Sequence, residues 1–568
     1  MVAVMLPLVA AQYAAVAAVS PAAWTALNAT VHGRLHTAKP FSLPCFSLYE
    51  NKSVTPDPAG CAAVQAGYAS GEYRSARYDA FVNPQWEACM LEQEKCLLNA
   101  NNVTDPTAYA NGANCAQGGV SPYYIAVEEA SDVQAAFSFS AAHGVPLSIK
   151  NSGHDYAGRS AKKGSLALWM RKLTSLEYNA SFVPENCNGS KPVPVITTGA
   201  GALFDDVYKF ADAQNVTYIG GYAQTVGASG GFVMTGGHSV LSPVYGLAVD
   251  RVVQFKLVTP DGVLRVANEC TNPDLFWALR GGGGGTFGVV LESSHRVEPR
   301  LTLQVAKVSF TSTVDSLSQF YNITISNALK WGREGWGGHI SGSGFINLTP
   351  LLTLDEAIAS VKPVTDFIEA QNGSVVVETL SSWLEFYNKY LVPAVTPVGQ
   401  EVVLASRLLP ISLFETTEGQ AKIVDTFTDM VKQGLSPYIP IVPPFLHNAT
   451  ANATSASPAW YTSLWDANCG GFFAYNASIA DEEAAYKVGH DCSDQLKALA
   501  PDSGSYMNEA DIYDSDHQAS WWGANYPRLL EIKKKYDPRG LLDCWKCVGW
   551  KGEQSKDFQC YLPSSTIT

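Results

Sequence analysis

Residue types able to do chemistry concentrate in one short run, Ile149-Lys150-Asn151-Ser152-Gly153-His154-Asp155-Tyr156-Ala157-Gly158-Arg159-Ser160. Gly153 and Gly158 let backbone N–H groups converge on one spot without a Cβ in the way, which is what a phosphate needs. His154 stands at the tip between a small residue and an acid, where a ring nitrogen can face a bound ligand. The same composition also describes a plain hydrogen-bonding surface turn. Two further glycine clusters follow, Gly220 to Gly231 and Gly236-Gly237-His238-Ser239. They are too dense for regular core elements, and the apolar Phe232, Val233 and Met234 among them argue for burial. Backbone wrapped closely around a large flat ligand satisfies both. A third run, Gly281 to Gly285, precedes Thr286-Phe287-Gly288-Val289-Val290. Its spacing does not match a dinucleotide fingerprint after a strand, and no helix clearly follows. Near the C-terminus, Tyr506-Met507-Asn508-Glu509-Ala510-Asp511 offers a phenol and two carboxylates, the groups a general base is drawn from.

These runs need a scaffold, and the pattern between them supplies one. Val145 to Ile149 reads as a strand feeding the His154 loop. Before it, Tyr124 to Val127 reads as a short strand, and Ser131 as the N-cap of a helix with Val133, Phe137 and Phe139 among its apolar positions. Val193 to Gly201 reads as a strand, Leu203 to Ala213 as a helix, and Asp250 to Gly262 as a strand with a tight turn. Strands and helices alternate from about Tyr123 to Val297, giving an α+β or α/β domain. Later, Leu354 to Gln371 reads as an amphipathic helix and Val375 to Val377 as a strand. Pro527 suits a first helical turn that Asp537-Pro538 closes. The lysines at 533 to 535 read as a solvated face. Asn448 to Pro458 reads as an exposed loop.

The chain has 568 residues, 46% hydrophobic and 16% charged, which excludes disorder and allows two or more domains. A net charge of −14 argues against nucleic acid or an anionic membrane as partner. Residues 1–20 are apolar and end in small residues, which predicts a cleaved secretory signal and no membrane association afterwards. Twelve N-x-S/T sequons, at Asn28, Asn51, Asn102, Asn179, Asn188, Asn215, Asn322, Asn347, Asn372, Asn448, Asn452 and Asn476, predict N-glycans on surface asparagines. Twelve cysteines fit a disulfide framework in an oxidising compartment. Cys469 and Cys492 look like a local pair, and Cys544, Cys547 and Cys560 cluster near the end. The Cys544-Trp-Lys-Cys547 spacing also occurs in redox and zinc motifs, but no second pair accompanies it, so no metal is predicted.

The His154 loop resembles the flavin-attachment loop of the vanillyl-alcohol-oxidase superfamily, in particular its berberine-bridge-enzyme-like FAD-linked oxidases. Among these, fungal isoamyl-alcohol-oxidase-like proteins are the most similar by their sequence words. Further matching words are Asp274-Leu275-Phe276-Trp277-Ala278-Leu279-Arg280 with its glycines, and the segments near Tyr506 and Trp522 to Pro538. The resemblance implies an α+β architecture: a two-subdomain PCMH-type FAD-binding domain and a substrate domain whose sheet is covered by helices. The expected division is a signal at 1–20, a cysteine-rich segment of loop-like composition throughout at 21–116, the FAD domain at 117–299, the substrate domain at 300–500, and a berberine-like segment at 501–568 that returns to the FAD domain.

By the same resemblance His154 bonds the 8α-methyl of FAD. Cofactor contacts are implied at Asn151, Ser152, Gly153, Asp155, Gly158, Arg159, Ser160, Gly221, Thr225, Val226, Gly227, Gly231, Gly236, Gly237, His238, Gly285, Gly288, Val289, Val290 and Asn508. Bicovalent relatives place a cysteine where this chain has Ala223, so a single histidyl link is expected. Val226 falls where a small residue admits O2. In sugar-oxidising relatives the tyrosine matching Tyr506 is the base. Glu509 replaces the family's second tyrosine, and Glu509 and Asp511 are alternative bases. The implied function is a secreted FAD-dependent oxidase acting on a small-molecule substrate, an alcohol or sugar-like donor, and reducing O2 to H2O2. An oxidative cyclase of secondary metabolism and an inert glycoprotein of the same fold are the alternatives.

Overall fold

The computed structural model describes residues 19–394, 397–450 and 452–568, so almost all of the expected signal at 1–20 lies outside the described residues. Three sheets position the site. The first is four-stranded, in the order Leu35–Thr37, Tyr123–Ala126, Leu166–Trp169, Leu147–Lys150, with the last three parallel. The helix Ala130–His143 makes the crossover between two of these strands, burying Val133, Phe137 and Phe139 as its spacing predicts. Its N-cap is Glu129 rather than Ser131, because Asp132 reaches back to the cap in a capping box. The second sheet has five antiparallel strands, ordered Leu264–Ala267, Val252–Val258, Val289–Arg296, Val193–Gly199, Leu176–Phe182.

The third sheet has seven antiparallel strands, ordered Ser374–Leu380, Leu303–Ser309, Gly344–Thr349, Gly337–Ser341, Tyr438–Ile441, Ser463–Phe473, Glu401–Pro410. Helices Val314–Arg333, Leu354–Ala370, Thr417–Lys432 and Ile479–Leu499 cover one face. Phe320, Ile325, Val361, Ile368, Phe427 and Leu496 from those helices meet Ile340, Ile439 and Trp465 from the strands in one apolar core. Each such side chain contributes roughly 1.5–3 kcal/mol of burial, so the helices hold this face shut. The other face is left to the site. The mixed α+β architecture is the one the sequence implied.

Several local expectations change. The cysteine-rich segment is not loop throughout: it forms helices Pro21–Thr30, Pro58–Gly67 and Gly71–Ser75, and lends Leu35–Thr37 to the first sheet. In the helix Tyr526–Tyr536 the lysine run is not all solvated. Lys533 is buried and donates to the carbonyls of Thr286 and Leu542 and to Asp537, each at 2.6–2.7 Å. The Asn448–Pro458 stretch is not exposed throughout; Thr454 to Ser457 are buried, and Ser455 and Ala456 donate their N–H groups to the Arg280 carbonyl. Asn347 is 2% exposed within the seven-stranded sheet, so that sequon is not a surface site. The other eleven sequon asparagines are exposed or part-exposed.

All twelve cysteines are paired: Cys45–Cys61, Cys89–Cys560, Cys96–Cys115, Cys187–Cys270, Cys469–Cys492 and Cys544–Cys547. The local pair expected at 469 and 492 forms. Cys560 leaves its sequence neighbours for Cys89. No helix among the described residues is long and apolar enough to cross a membrane.

Candidate functional site

The strand Leu147–Lys150 ends on a buried lysine whose ammonium donates to the carbonyls of Arg77, Tyr78 and Ala80 at 2.9, 2.8 and 2.6 Å. That cation draws the N-terminal segment against the base of the His154 loop. Val82 N–H then bonds the Gly153 carbonyl at 3.0 Å. Gly158 (φ +70°) packs face-on to Trp86, where a Cβ would stand 2.2 Å from the indole. Asp155 closes the loop by accepting from Arg159 N and Nε, and Arg159 Nη2 donates to Asn508 Oδ1 at 2.7 Å. The C-terminal segment is thereby tied to the loop.

Between the sheets lies a cavity of about 810 Å³, near the upper end of ligand pockets, roughly 300–1,000 Å³. Of the residues the sequence implicates, Asn151, Ser152, Gly153, His154, Asp155, Arg159, Ser160, Gly221, Val226, Gly227, Gly231, His238, Gly285, Gly288, Val289, Val290, Tyr506, Asn508 and Glu509 line it. Five do not. Gly158 is spent on Trp86, and a Cβ on Gly237 would meet Ala248 and Phe232. Gly236 sits behind Trp460 and Tyr506. Thr225 acts through His154. Asp511 is turned away, accepting from Tyr513 N at 2.8 Å and paired with His490 Nδ1 at 2.6 Å, so it is no candidate base.

The wall fits the FAD implied by the sequence. A Cβ on Gly231 would meet nothing within 4 Å, and one on Gly285 only Cys544 Sγ at 4.0 Å. Side chains there would fill the cradle that the glycines leave open. Buried Asn151 Oδ1, Arg159 Nη1 and Ser160 Oγ find no partner among the described residues, and buried polar groups without partners are rare unless a ligand completes them. His154 Nε2 lies 2.7 Å from Thr225 Oγ1, which leaves Nδ1 as the ring nitrogen for the cavity. Burial lowers the His154 pKa to about 4, so the ring is neutral near pH 7. Ala223 lines the same wall, and no cysteine is free among the described residues, so no thiolate faces the cavity.

A second polar group lines the same cavity. Its members are His238 from the glycine run, Tyr506 and Glu509 from the C-terminal segment, and Tyr222, His339, Tyr438 and Asn468. His238 Nε2 stands 3.3 Å from Glu509 Oε1, and its ring meets Tyr506 edge-on at 5.0 Å. Burial opposes a charge on His238, but Glu509 outweighs it and raises the pKa. Burial and the Glu509 charge raise the Tyr506 phenol. Asn508 Nδ2 donates to Tyr506 Oη at 2.9 Å and to Thr235 Oγ1 at 2.6 Å. Ser406 Oγ accepts from Tyr506 N, and Arg407 donates to the Ala500 and Pro501 carbonyls that carry the chain toward it. Trp460 packs its indole edge-on to Tyr506 at 5.4 Å.

The sequence reading passed over Tyr222, His339, Tyr438, Asn468 and the neighbouring Asp466. The alternation Trp465-Asp466-Ala467-Asn468-Cys469, apolar residues on one face and polar on the other, carried the signal for two of them.

Comparison with known proteins agrees with this geometry. The family described as "FAD binding domain" matches residues 121–268, and the family described as "Berberine and berberine like" matches residues 505–543. FAD-linked oxidoreductase ffsJ of Aspergillus flavipes is 41% identical, the match covering 97% of this chain and 96% of the relative. The VAO-type flavoprotein MtVAO615 of Myceliophthora thermophila superposes with a TM-score of 0.82 at 26% identity, covering 96% of this chain and 97% of that one. Glucooligosaccharide oxidase of Acremonium strictum, described with a 6-S-cysteinyl, 8α-N1-histidyl FAD, superposes with a TM-score of 0.61 at 20% identity, covering 75% of this chain and 91% of that one.

Proposed function

We propose, from the premise that this chain belongs to the FAD-linked oxidoreductases of the vanillyl-alcohol-oxidase superfamily with a berberine-like C-terminal segment, that it is a secreted oxidase with a histidyl-linked flavin. It oxidises an alcohol or sugar-like donor and reduces O2 to H2O2. The bound flavin supplies the two-electron acceptor for the donor's C–H bond. The chain's own residues do the rest. His154 is held by Thr225 with one neutral nitrogen toward the cavity, the arrangement a single histidyl bond requires. This observation carries the proposal. Ala223 leaves no partner for a second, cysteinyl bond, and Val226 keeps a small side chain on the wall where O2 would approach.

Tyr506 is a poor base in its resting state, because burial and Glu509 keep its proton on. It serves better as a neutral donor that orients the substrate, with Glu509 as the final acceptor of the hydroxyl proton. Six disulfides and eleven exposed or part-exposed sequon asparagines support secretion and N-glycosylation. A second reading, an oxidative cyclase using the same flavin, is favoured by the apolar part of the cavity. Leu391, Pro397, Leu404 and the 61%-exposed Phe472 would admit a bulky hydrophobic substrate.

The test is acid precipitation of purified protein, followed by peptide mass analysis. A yellow pellet and a flavin-bearing peptide around residue 154 are expected. A colourless pellet with that peptide unmodified overturns the proposal. Peroxide release across alcohols and sugars, with product structures, separates oxidase from cyclase.

A further inference from the structure

The seven-stranded sheet turns a row of polar side chains to the cavity. Ser341, Tyr438 and Asn468 are paired across three neighbouring strands, so they share a face. His339 lies two residues from Ser341 and joins them. All four line the cavity, and Tyr222 comes to them from the glycine run, its ring centroid 4.2 Å from that of His339. Tyr438 Oη is engaged by His339 Nδ1. Two side chains are left open. Asn468 is 2% exposed, yet neither its Oδ1 nor its Nδ2 meets a partner at bonding geometry among the described residues, and the buried Tyr222 Oη meets none either. A buried carboxamide unpaired at both ends is destabilising until something in the cavity completes it. The oxidation proposed above makes no use of these atoms, since Tyr506 and Glu509 meet the reacting hydroxyl.

The surroundings select an uncharged partner. No side chain of the sheet that lines the cavity is ionised. Burial, with the His238 charge second, holds His339 neutral, and burial keeps the proton on Tyr222. Asp466 shares the face of Asn468 but does not line the cavity. Among the described residues Arg159 is the one guanidinium or ammonium on the wall, and Asp155 already pairs with it. A carboxylate or ammonium brought to Asn468 is therefore buried without a counter-charge. Leu391, Leu404 and Phe472 give the same cavity an apolar wall.

We infer that Asn468 and Tyr222 form a specificity subsite for a second polar group of the substrate. That group is uncharged, both donates and accepts hydrogen bonds, as a hydroxyl does, and is carried on an apolar body. This deepens the proposed function and rests on its placing an alcohol donor in the cavity. Asn468 Nδ2 donates to the group's oxygen, and Asn468 Oδ1 or Tyr222 Oη accepts its proton. An alcohol without the second group leaves both side chains unpaired. A site built to hydrogen-bond a hydroxyl discriminates strongly against the analogue that lacks it.

Straight-chain primary alcohols of graded length, butanol to decanol, test this, with hydrogen, hydroxyl, carboxylate or ammonium on the far carbon. Affinity is read under argon from the concentration dependence of the melting temperature of the protein as purified. At the best length the diol should bind at least about tenfold tighter than the plain alcohol, and both charged compounds more weakly than the diol. Asn468→Leu should bring the ratio of diol to plain alcohol near one. Tyr222→Phe removes one oxygen, keeps the ring beside His339 and should lower the ratio about threefold, which serves where Asn468→Leu does not fold. A wild-type ratio near one at every length, absence of binding included, overturns the inference. So does a charged compound that binds best. So does a ratio unchanged in Asn468→Leu, or in Tyr222→Phe where the first variant does not fold. The ratio is read without turnover, so its failure is distinct from a colourless pellet, which bears on the attachment at His154.

Discussion

His154 and Thr225 make one contact of 2.7 Å, and it assigns the two ring nitrogens different tasks. A neutral hydrogen bond of this kind contributes about 1 kcal/mol net. Its greater effect is orientational, since a ring free to turn presents the wrong nitrogen. Thr225→Val should therefore retain His154 yet give incomplete covalent flavin, and His154→Ala none, measured as fluorescence of the denatured protein after electrophoresis. Equal loading in Thr225→Val and wild type would remove Thr225 from the attachment. At this scale the sequence was informative where a loop concentrates its chemistry in consecutive residues, as from Asn151 to Ser160. It was blind to Tyr222, His339 and Tyr438, which meet at the cavity only because three distant segments fold together. It also misplaced Asp511, because the word containing Tyr506 and Asn508 turns after Glu509 and sends the next acid to His490.

At the scale of elements, periodicity located most strands and helices to within a residue or two, including Val193–Gly199, Phe204–Ala213 and Leu354–Ala370. It misjudged the lysines of Tyr526–Tyr536, since three consecutive cations look alike in sequence and only one lies over the Thr286 and Leu542 carbonyls. Lys533 and Asp537 form a buried pair at 2.7 Å. Removing one partner leaves the other charge buried, at a cost of roughly 3–5 kcal/mol. Lys533→Met should lower denaturant stability by about that much. Lys534→Met, and Lys535→Met at the exposed pair with Asp274, should change it by no more than about 1 kcal/mol. Equal effects at all three positions would return the run to a solvated face. The helices Pro21–Thr30 and Pro58–Gly67 were hidden for a different reason: a proline at the first turn of each, and Cys61 within the second, imitate loop composition.

For the whole molecule, the architecture was legible through motifs and the cross-links were not. A bridge such as Cys89–Cys560, 471 residues apart, leaves no trace in local spacing. Sequon counting likewise cannot see burial. Asn347 lies inside the seven-stranded sheet, opposite Ala306 and Gly338, with no room for a sugar. Glycopeptide mapping of secreted protein should find Asn347 unmodified and carbohydrate only among the other eleven sites. A glycan on Asn347 would mean that this strand is placed wrongly. Two segments far apart in sequence also meet at the His154 loop. Trp86 backs Gly158, Cys89 bonds Cys560, and Tyr561 donates its hydroxyl to the Ala157 carbonyl at 2.7 Å. The scaffold of that loop is thus incomplete until Cys560 and Tyr561 have been translated. On the proposed histidyl attachment, maturation acquires an order from this: the flavin bond forms only after the C-terminal segment has folded back, and a ribosome that stops before Cys560 releases a protein with every glycine of the proposed nucleotide cradle and no firm seat for the bond.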